Sequence, residues 1–182
     1  MLLFLSVILG LAVGFIRKGD IFRLTNLRGL WLVIFSMAAI LLIKYYPAIP
    51  YAYKVVATTL SYLCVIIFAI LNRKHIVPSA FLGLGTLSNY LVIACNSFRM
   101  PISAKALLIY PTMTAEAVLS QRANYFVAID GARLMFLGDV IYIPIKIFEG
   151  FLSVGDVFIA IGMFLLIVQV MVRNDMDRKR VA

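Results

Sequence analysis

Two carboxylates stand in the same local setting, Gly138-Asp139-Val140 and Gly155-Asp156-Val157, in a chain with only eight acids. Two acids that meet in a half-apolar crevice cannot both ionise; one keeps its proton while its neighbour stays charged. That pairing is the chemistry of an aspartyl hydrolase, in which one acid activates water and the other polarises a carbonyl. Each acid also has a structural reading. Ser153-Val154-Gly155-Asp156 fits S-x-x-[DE], a capping box that opens a helix, with Asp156 near the positive end of the helix dipole. Asp139 fits an ordinary Gly-Asp turn. Arg99 or Arg133 beside the acids would make an ion-pair network with no catalysis.

Further binding candidates come from polar residues in apolar surroundings. Asn89 and Asn96 are seven apart, two helical turns, so they share a face, with Gly85 one turn before Asn89. One reading is an interhelical hydrogen bond at a close approach permitted by glycine; the other is that Asn96 lines a pocket. Arg99 follows in "NSFRMP", where a guanidinium can pair a carboxylate or lipid phosphate, or anchor at the headgroups. Pro101 is expected to end the helix before it. Gly10 and Gly14 form a G-x-x-x-G packing face.

Metal chemistry has little to work with. His75 is the only histidine, and Cys64 and Cys95 lie in apolar runs without C-x-x-C spacing, so they read as buried thiols. No metal site and no cofactor is expected.

The elements that must hold these residues are apolar. Of 182 residues 64% are hydrophobic, with a mean hydropathy of +1.04, against roughly 45–50% apolar in soluble domains. Five apolar blocks stand out, Leu2 to Ile16, Leu30 to Tyr46, Val55 to Leu71, Ala80 to Cys95 and Val154 to Val172. Backbone groups in hydrocarbon must bond internally, so each block is expected to be a helix. The formal charge of +9 falls between the blocks, where it marks topology and contacts with anionic lipid headgroups; it does not suggest nucleic acid.

Placing "RKGDIFRLTNLRG", "NRKH" and the tail "RNDMDRKR" inside gives five spans with the N-terminus outside and the C-terminus inside. The expected fold is a single all-α membrane domain over residues 1–182. A long extracytoplasmic segment, residues 96–153, should fold back onto the bundle. Its "TAEAVLSQRANYFVAI" reads as an interfacial helix with Glu116 and Arg122 turned to water. "ARLMFLGDVIYIPIKIF" has β-like composition with turn chemistry at Gly138-Asp139.

Two resemblances bear on this reading. The run "NSFRMP … FLGDVIYIP … SVGDVFIAIGMFLLIV", with "GTLSNYLVIACN" before it, resembles an uncharacterised bacterial family of small integral membrane proteins, a domain of unknown function common in clostridia and their relatives. The resemblance implies a multi-pass protein of the bacterial cytoplasmic membrane and puts Asn96, Arg99, Pro101, Asp139 and Asp156 in the family pattern. It supplies no activity. "FLSVGDVFIAIGMFLLIV" is also similar to the closing stretch of lipoprotein signal peptidases, which implies Asp156 as the second acid of a dyad. The first acid of that family sits in N-x-x-D-R, whereas Asp139 sits in "LGDVI".

The expected function is therefore a scaffold or partner-binding subunit with a polar crevice on its outer face. A membrane aspartyl hydrolase is the alternative. A small transporter is the least favoured, since the blocks hold no acid, lysine or arginine near a midplane. Expected partners are the bilayer and its anionic headgroups, with a protein partner or a second copy as further candidates.

Overall fold

The computed structural model describes residues 2–46, 48–108, 125–129, 131–144 and 150–172, with the side chains of Lys44 and Tyr45 excepted. All five apolar blocks are helical. They are α1 (Leu2–Ile16), α2 (Leu30–Tyr45), α3 (Tyr51–Leu71), α4 (Ile76–Cys95) and, after the short α5 (Ala104–Leu108), α6 (Val154–Val172). α3, α4 and α6 are long and apolar enough to cross a membrane; α1 and α2 are shorter apolar helices.

Two helices begin earlier than their hydropathy suggests. α3 opens at Tyr51, behind an extended Pro50, because Tyr51, Tyr53 and Lys54 are amphipathic residues that a helix end tolerates. α4 opens at Ile76 and carries Pro78 in its first turn, where a proline costs no helical bond because the N–H there has no partner in the helix.

The helices pack through glycine. Ile167 and Met171 of α6 fill the G-x-x-x-G groove of α1: a Cβ on Gly10 would meet Ile167 Cβ at 3.1 Å, and one on Gly14 would meet the Met171 sulfur at 2.5 Å. The opposite side of α6 lies on α4, where a Cβ on Gly85 would meet the Gly155 carbonyl at 2.6 Å and one on Gly162 the Leu82 nitrogen at 2.8 Å. α6 thus lies between α1 and α4, with α3 against α4 and α2 against α3.

Arg17, Lys18, Arg23, Arg28, Arg73 and Lys74 collect at one end of the bundle. A 3-10 turn, Ile21–Asn26, connects α1 to α2 there, and the Asp20 N–H reaches the Met171 carbonyl of α6 at 3.0 Å. Asn72, fully buried at the end of α3, accepts from the Arg28 N–H at 3.0 Å and donates to the Arg28 carbonyl at 2.9 Å. Leu27, Leu32, Phe68, Leu82, Leu166 and Val170 form the core beneath.

The other end carries a sheet, which corrects the all-α expectation. β1 (Met100–Ser103), β2 (Tyr125–Ala128), β3 (Asp139–Ile143) and β4 (Gly150–Ser153) lie in the order β2-β1-β3-β4. β1 is parallel to β2 and β3, and β3 and β4 are antiparallel with an irregularity between Asp139 and Ile141. The physical reason is that a segment leaving the helices must still pair its backbone groups, and β-branched and aromatic residues do so as strands. The β-like reading of "ARLMFLGDVIYIPIKIF" is met by β3. The interfacial helix does not extend through Tyr125–Ala128, which is β2; the rest of that expected helix, with Glu116 and Arg122, lies outside the described residues, as does the basic tail.

Pro101 does not terminate α4. The helix ends at Cys95 with Asn96 as its cap, and the Phe98 N–H returns to the Ile93 carbonyl at 2.8 Å while Ser97 and Phe98 both take left-handed φ values of 55°. That is a Schellman-type ending made without glycine. Pro101 lies in β1, opposite Phe126.

Candidate functional site

Where the sheet meets the helices, three residues form a closed ring of four hydrogen bonds. The capping box exists as expected: the Asp156 N–H donates to Ser153 Oγ at 2.9 Å and the Ser153 N–H to Asp156 Oδ2 at 3.3 Å. Asn89 completes the ring from α4. Its Nδ2 donates to Asp156 Oδ1 at 2.7 Å, and its Oδ1 accepts from Ser153 Oγ at 2.7 Å. The backbone allows this because Gly85 and Gly155 let α4 and α6 touch; a Cβ on Gly155 would collide with the Asn89 amide. The expected interhelical hydrogen bond at a glycine crossing is thus present, and Asp156 is both a helix cap and a bridge to α4.

Asp139 is no exposed turn. It is the first residue of β3, 1% exposed, and stands in register with Ser153 of β4 on one side and Ile102 of β1 on the other. The turn reading fails because the 3-10 turn Met135–Leu137 and Gly138 precede the acid and deliver it into the sheet. Gly138 is confined as well, since a Cβ there would meet the Pro101 carbonyl at 2.8 Å.

Tyr62 of α3 is half-buried. Its ring packs 5.7 Å from that of Tyr90 and joins the cluster of Val92, Ile93 and Met100. The register of Asp139 with Ser153 and the bonds of Asn89 to Ser153 and Asp156 gather these four residues into one neighbourhood.

Asn96, Arg99 and Arg133 do different work. Asn96 Nδ2 donates to the Arg133 carbonyl at 2.8 Å, and its Oδ1 accepts from the Arg133 N–H at 3.1 Å, so it holds the approach to β3 by its backbone. Arg99, exposed, donates to the Tyr125 carbonyl at 2.8 Å and lies 5.7 Å from the Phe126 ring, which ties β2 to the end of α4. The contacts of Arg99 are thus to a main-chain carbonyl and an aromatic ring, and those of the Arg133 backbone to the Asn96 amide. Among the described residues no group of three or more metal-binding side chains occurs.

Chemically, the ring occupies its own polar groups. Both Asp156 oxygens, both ends of the Asn89 amide and the Ser153 hydroxyl are engaged within the protein. A general acid or base must point a proton or lone pair at a reacting atom. The Asp156 carboxylate instead serves to join α4, β4 and α6.

Residues 24–168 match a family model described as a family of unknown function, DUF5317. The chain belongs to that family. The DUF5317 match includes Tyr62, Asn89, Asn96, Arg99, Arg133, Asp139, Ser153 and Asp156, so the whole polar neighbourhood lies in the part that matches. No curated protein and no solved structure matches the chain. The resemblance to an uncharacterised family, read from "NSFRMP" and the two Gly-Asp-Val runs, agrees with this match to a family of unknown function.

Sequence reasoning missed Asn72 and saw only half of Ser153. Ser153 is legible as a cap from its spacing to Asp156. Its bond to Asn89 depends on a helix crossing sixty-four residues away in sequence, for which Gly85 and Gly155 are the available signal. Asn72 sits inside "NRKH", a string that reads as a solvated basic loop.

Proposed function

We propose that this DUF5317 protein crosses the bacterial cytoplasmic membrane five times, N-terminus outside and C-terminus inside, and serves as a scaffold or partner-binding subunit through its outer, sheet-bearing end. The observation that carries the reading is the closed ring of Asn89, Ser153 and Asp156, whose polar groups fasten the sheet to the bundle. A cap held this firmly is a platform. Support for the orientation comes from the basic cluster at the opposite end, since short cytoplasmic loops concentrate Lys and Arg. Support for a partner comes from Ile129 and Phe136, large apolar residues at the sheet end that are 79% and 67% exposed.

Site-specific photocrosslinking from Phe136 in growing cells tests the partner role. Discrete, reproducible protein adducts are expected; adducts to lipid alone would sink it. Orientation is tested separately in a background lacking Cys64 and Cys95. A cysteine at Lys74 should be shielded from an impermeant maleimide and one at Phe136 should react.

A second reading, a membrane aspartyl hydrolase, is favoured by the register of Asp139 with Ser153, one capping box away from Asp156. It requires Asp156 to release one of its internal hydrogen bonds to substrate. Mass spectrometry of lipopeptides incubated with the reconstituted protein would detect cleavage, which Asp139→Asn should abolish.

A further inference from the structure

A groove with a volume of about 710 Å³ runs between α3 and α4 at the basic end, within the range of roughly 300–1,000 Å³ typical of ligand sites. It is built by spacing. Ile66, Ala69 and Ile70 fall at i, i+3 and i+4 on α3, with Arg73 just beyond its end, and Ile76, Ala80 and Gly83 at i, i+4 and i+7 on α4, so each helix turns one stripe to the groove. Isoleucines form the walls, while alanine and glycine leave the floor low. At Gly83 an added Cβ would meet nothing within 4 Å. The Ser79 hydroxyl is turned to the Asn72 carbonyl at 2.9 Å, which keeps the floor apolar.

Arg73 and Lys74 stand at the same groove, just past the end of α3. Both are exposed, and their side chains have no hydrogen bond or ion pair among the described residues. An apolar trough with two cations at one end has the polarity of an anionic phospholipid, with one of its two acyl chains along the trough and its phosphate at the cations. Arg73 can take that phosphate with two parallel N–H groups and Lys74 as a point charge. The stripe from Ile76 to Gly83 spans roughly 10 Å along α4, a length that an extended acyl segment can follow.

We propose that this groove binds one anionic phospholipid, with its chain between α3 and α4 and its phosphate on Arg73 and Lys74. The proposal rests on α3 and α4 spanning a bilayer, but it adds a stoichiometric site to the general attraction of basic loops for headgroups.

Native mass spectrometry of the purified full chain, titrated with phosphatidylglycerol in a phosphatidylcholine background, tests it. The wild type should retain one phosphatidylglycerol per chain. Arg73→Gln with Lys74→Gln should bind about thirtyfold more weakly, the combined effect of two cations at a membrane surface. Gly83→Leu, which fills the groove and keeps both charges, should also lose the lipid, and its melting temperature reports whether the fold is kept. Arg17→Gln with Arg28→Gln, equally basic and at the same end, should bind as the wild type does. Equal weakening in that control would reduce the site to a diffuse field. Retention by Gly83→Leu would remove the chain seat, and displacement by equimolar inorganic phosphate would make it an anion site only. Dimers in place of lipid adducts would assign the groove to a second copy. Protein that stays in the aqueous fraction would instead overturn the membrane reading itself, and the lipid site with it.

Discussion

Asn89 and Asp156, 67 residues apart in sequence, share a 2.7 Å hydrogen bond that runs from an amide on α4 to a carboxylate on α6. Between two apolar helices this contact fixes rotation as well as proximity. A slip of either helix by one residue would turn an amide or a carboxylate toward hydrocarbon, where an unmatched polar group costs several kcal/mol, on the order of the transfer penalty for such groups.

Asn89→Ala should therefore destabilise the fold by about 1–3 kcal/mol, because it leaves Asp156 Oδ1 and the Ser153 hydroxyl without their partner. Unfolding in mixed micelles of increasing SDS fraction measures it. A midpoint unchanged within error would show that water or another group replaces the amide freely.

Gly85→Ala and Gly83→Ala should part company. At Gly85 a Cβ would sit 2.6 Å from the Gly155 carbonyl, so the helices must separate at a cost of about 1–3 kcal/mol. At Gly83 the space is open, and alanine should be neutral or add up to about 1 kcal/mol from helix propensity. Equal midpoints for the two variants would contradict the crossing point.

The paired asparagine clamps should rank by burial. Asn72 and Asn96 each bond the N–H and the carbonyl of a distant arginine, Arg28 and Arg133. Asn72 is fully buried and Asn96 half-buried. Asn72→Ala is expected to cost about 2–3 kcal/mol and Asn96→Ala about 1 kcal/mol, since only buried groups bear the full penalty of lost bonds. Thermal melts followed by tryptophan emission from Trp31 would reveal a reversed order.

Asp156→Asn separates the structural role from the catalytic one. The amide retains an acceptor for Asn89 but turns a donor toward the Ser153 N–H, so the helix end should lose about 1 kcal/mol. In the scaffold reading the photocrosslink from Phe136 persists at wild-type yield. Loss of that adduct from a protein that still melts cooperatively would show that the carboxylate itself is needed.

Much of the bundle was legible because helical apolar runs announce themselves. α1 and α6 begin and end where hydropathy places them, and Ser153 with Asp156 marks the cap through spacing alone. The sheet was harder. β1 has four residues, contains Pro101, and pairs in parallel with a strand more than twenty positions later; no local pattern encodes such a partner. Asp139 was misread for the same reason, since Gly138-Asp139 has turn chemistry until β1 and β4 close on both its sides. Asn89 and Gly85 were recognisable as a packing pair, but their partner on α6 was not, because helix faces do not name their neighbours.

α6 lies between α1 and α4, and this has a consequence for biogenesis. In the five-span reading α1 enters the bilayer before α6, so the side chains that fill its glycine groove, Ile167 and Met171, are translated only after α2, α3 and α4. Until then the Asn89 amide also waits in lipid for its carboxylate. The early helices must therefore reside in the membrane as a loose set, and closure is a single late event in which one incoming helix satisfies two faces at once. A ribosome that stops short of Val154 leaves behind a product with an open groove and a stranded amide, the kind of exposed polarity by which membrane quality control can distinguish unfinished chains from finished ones.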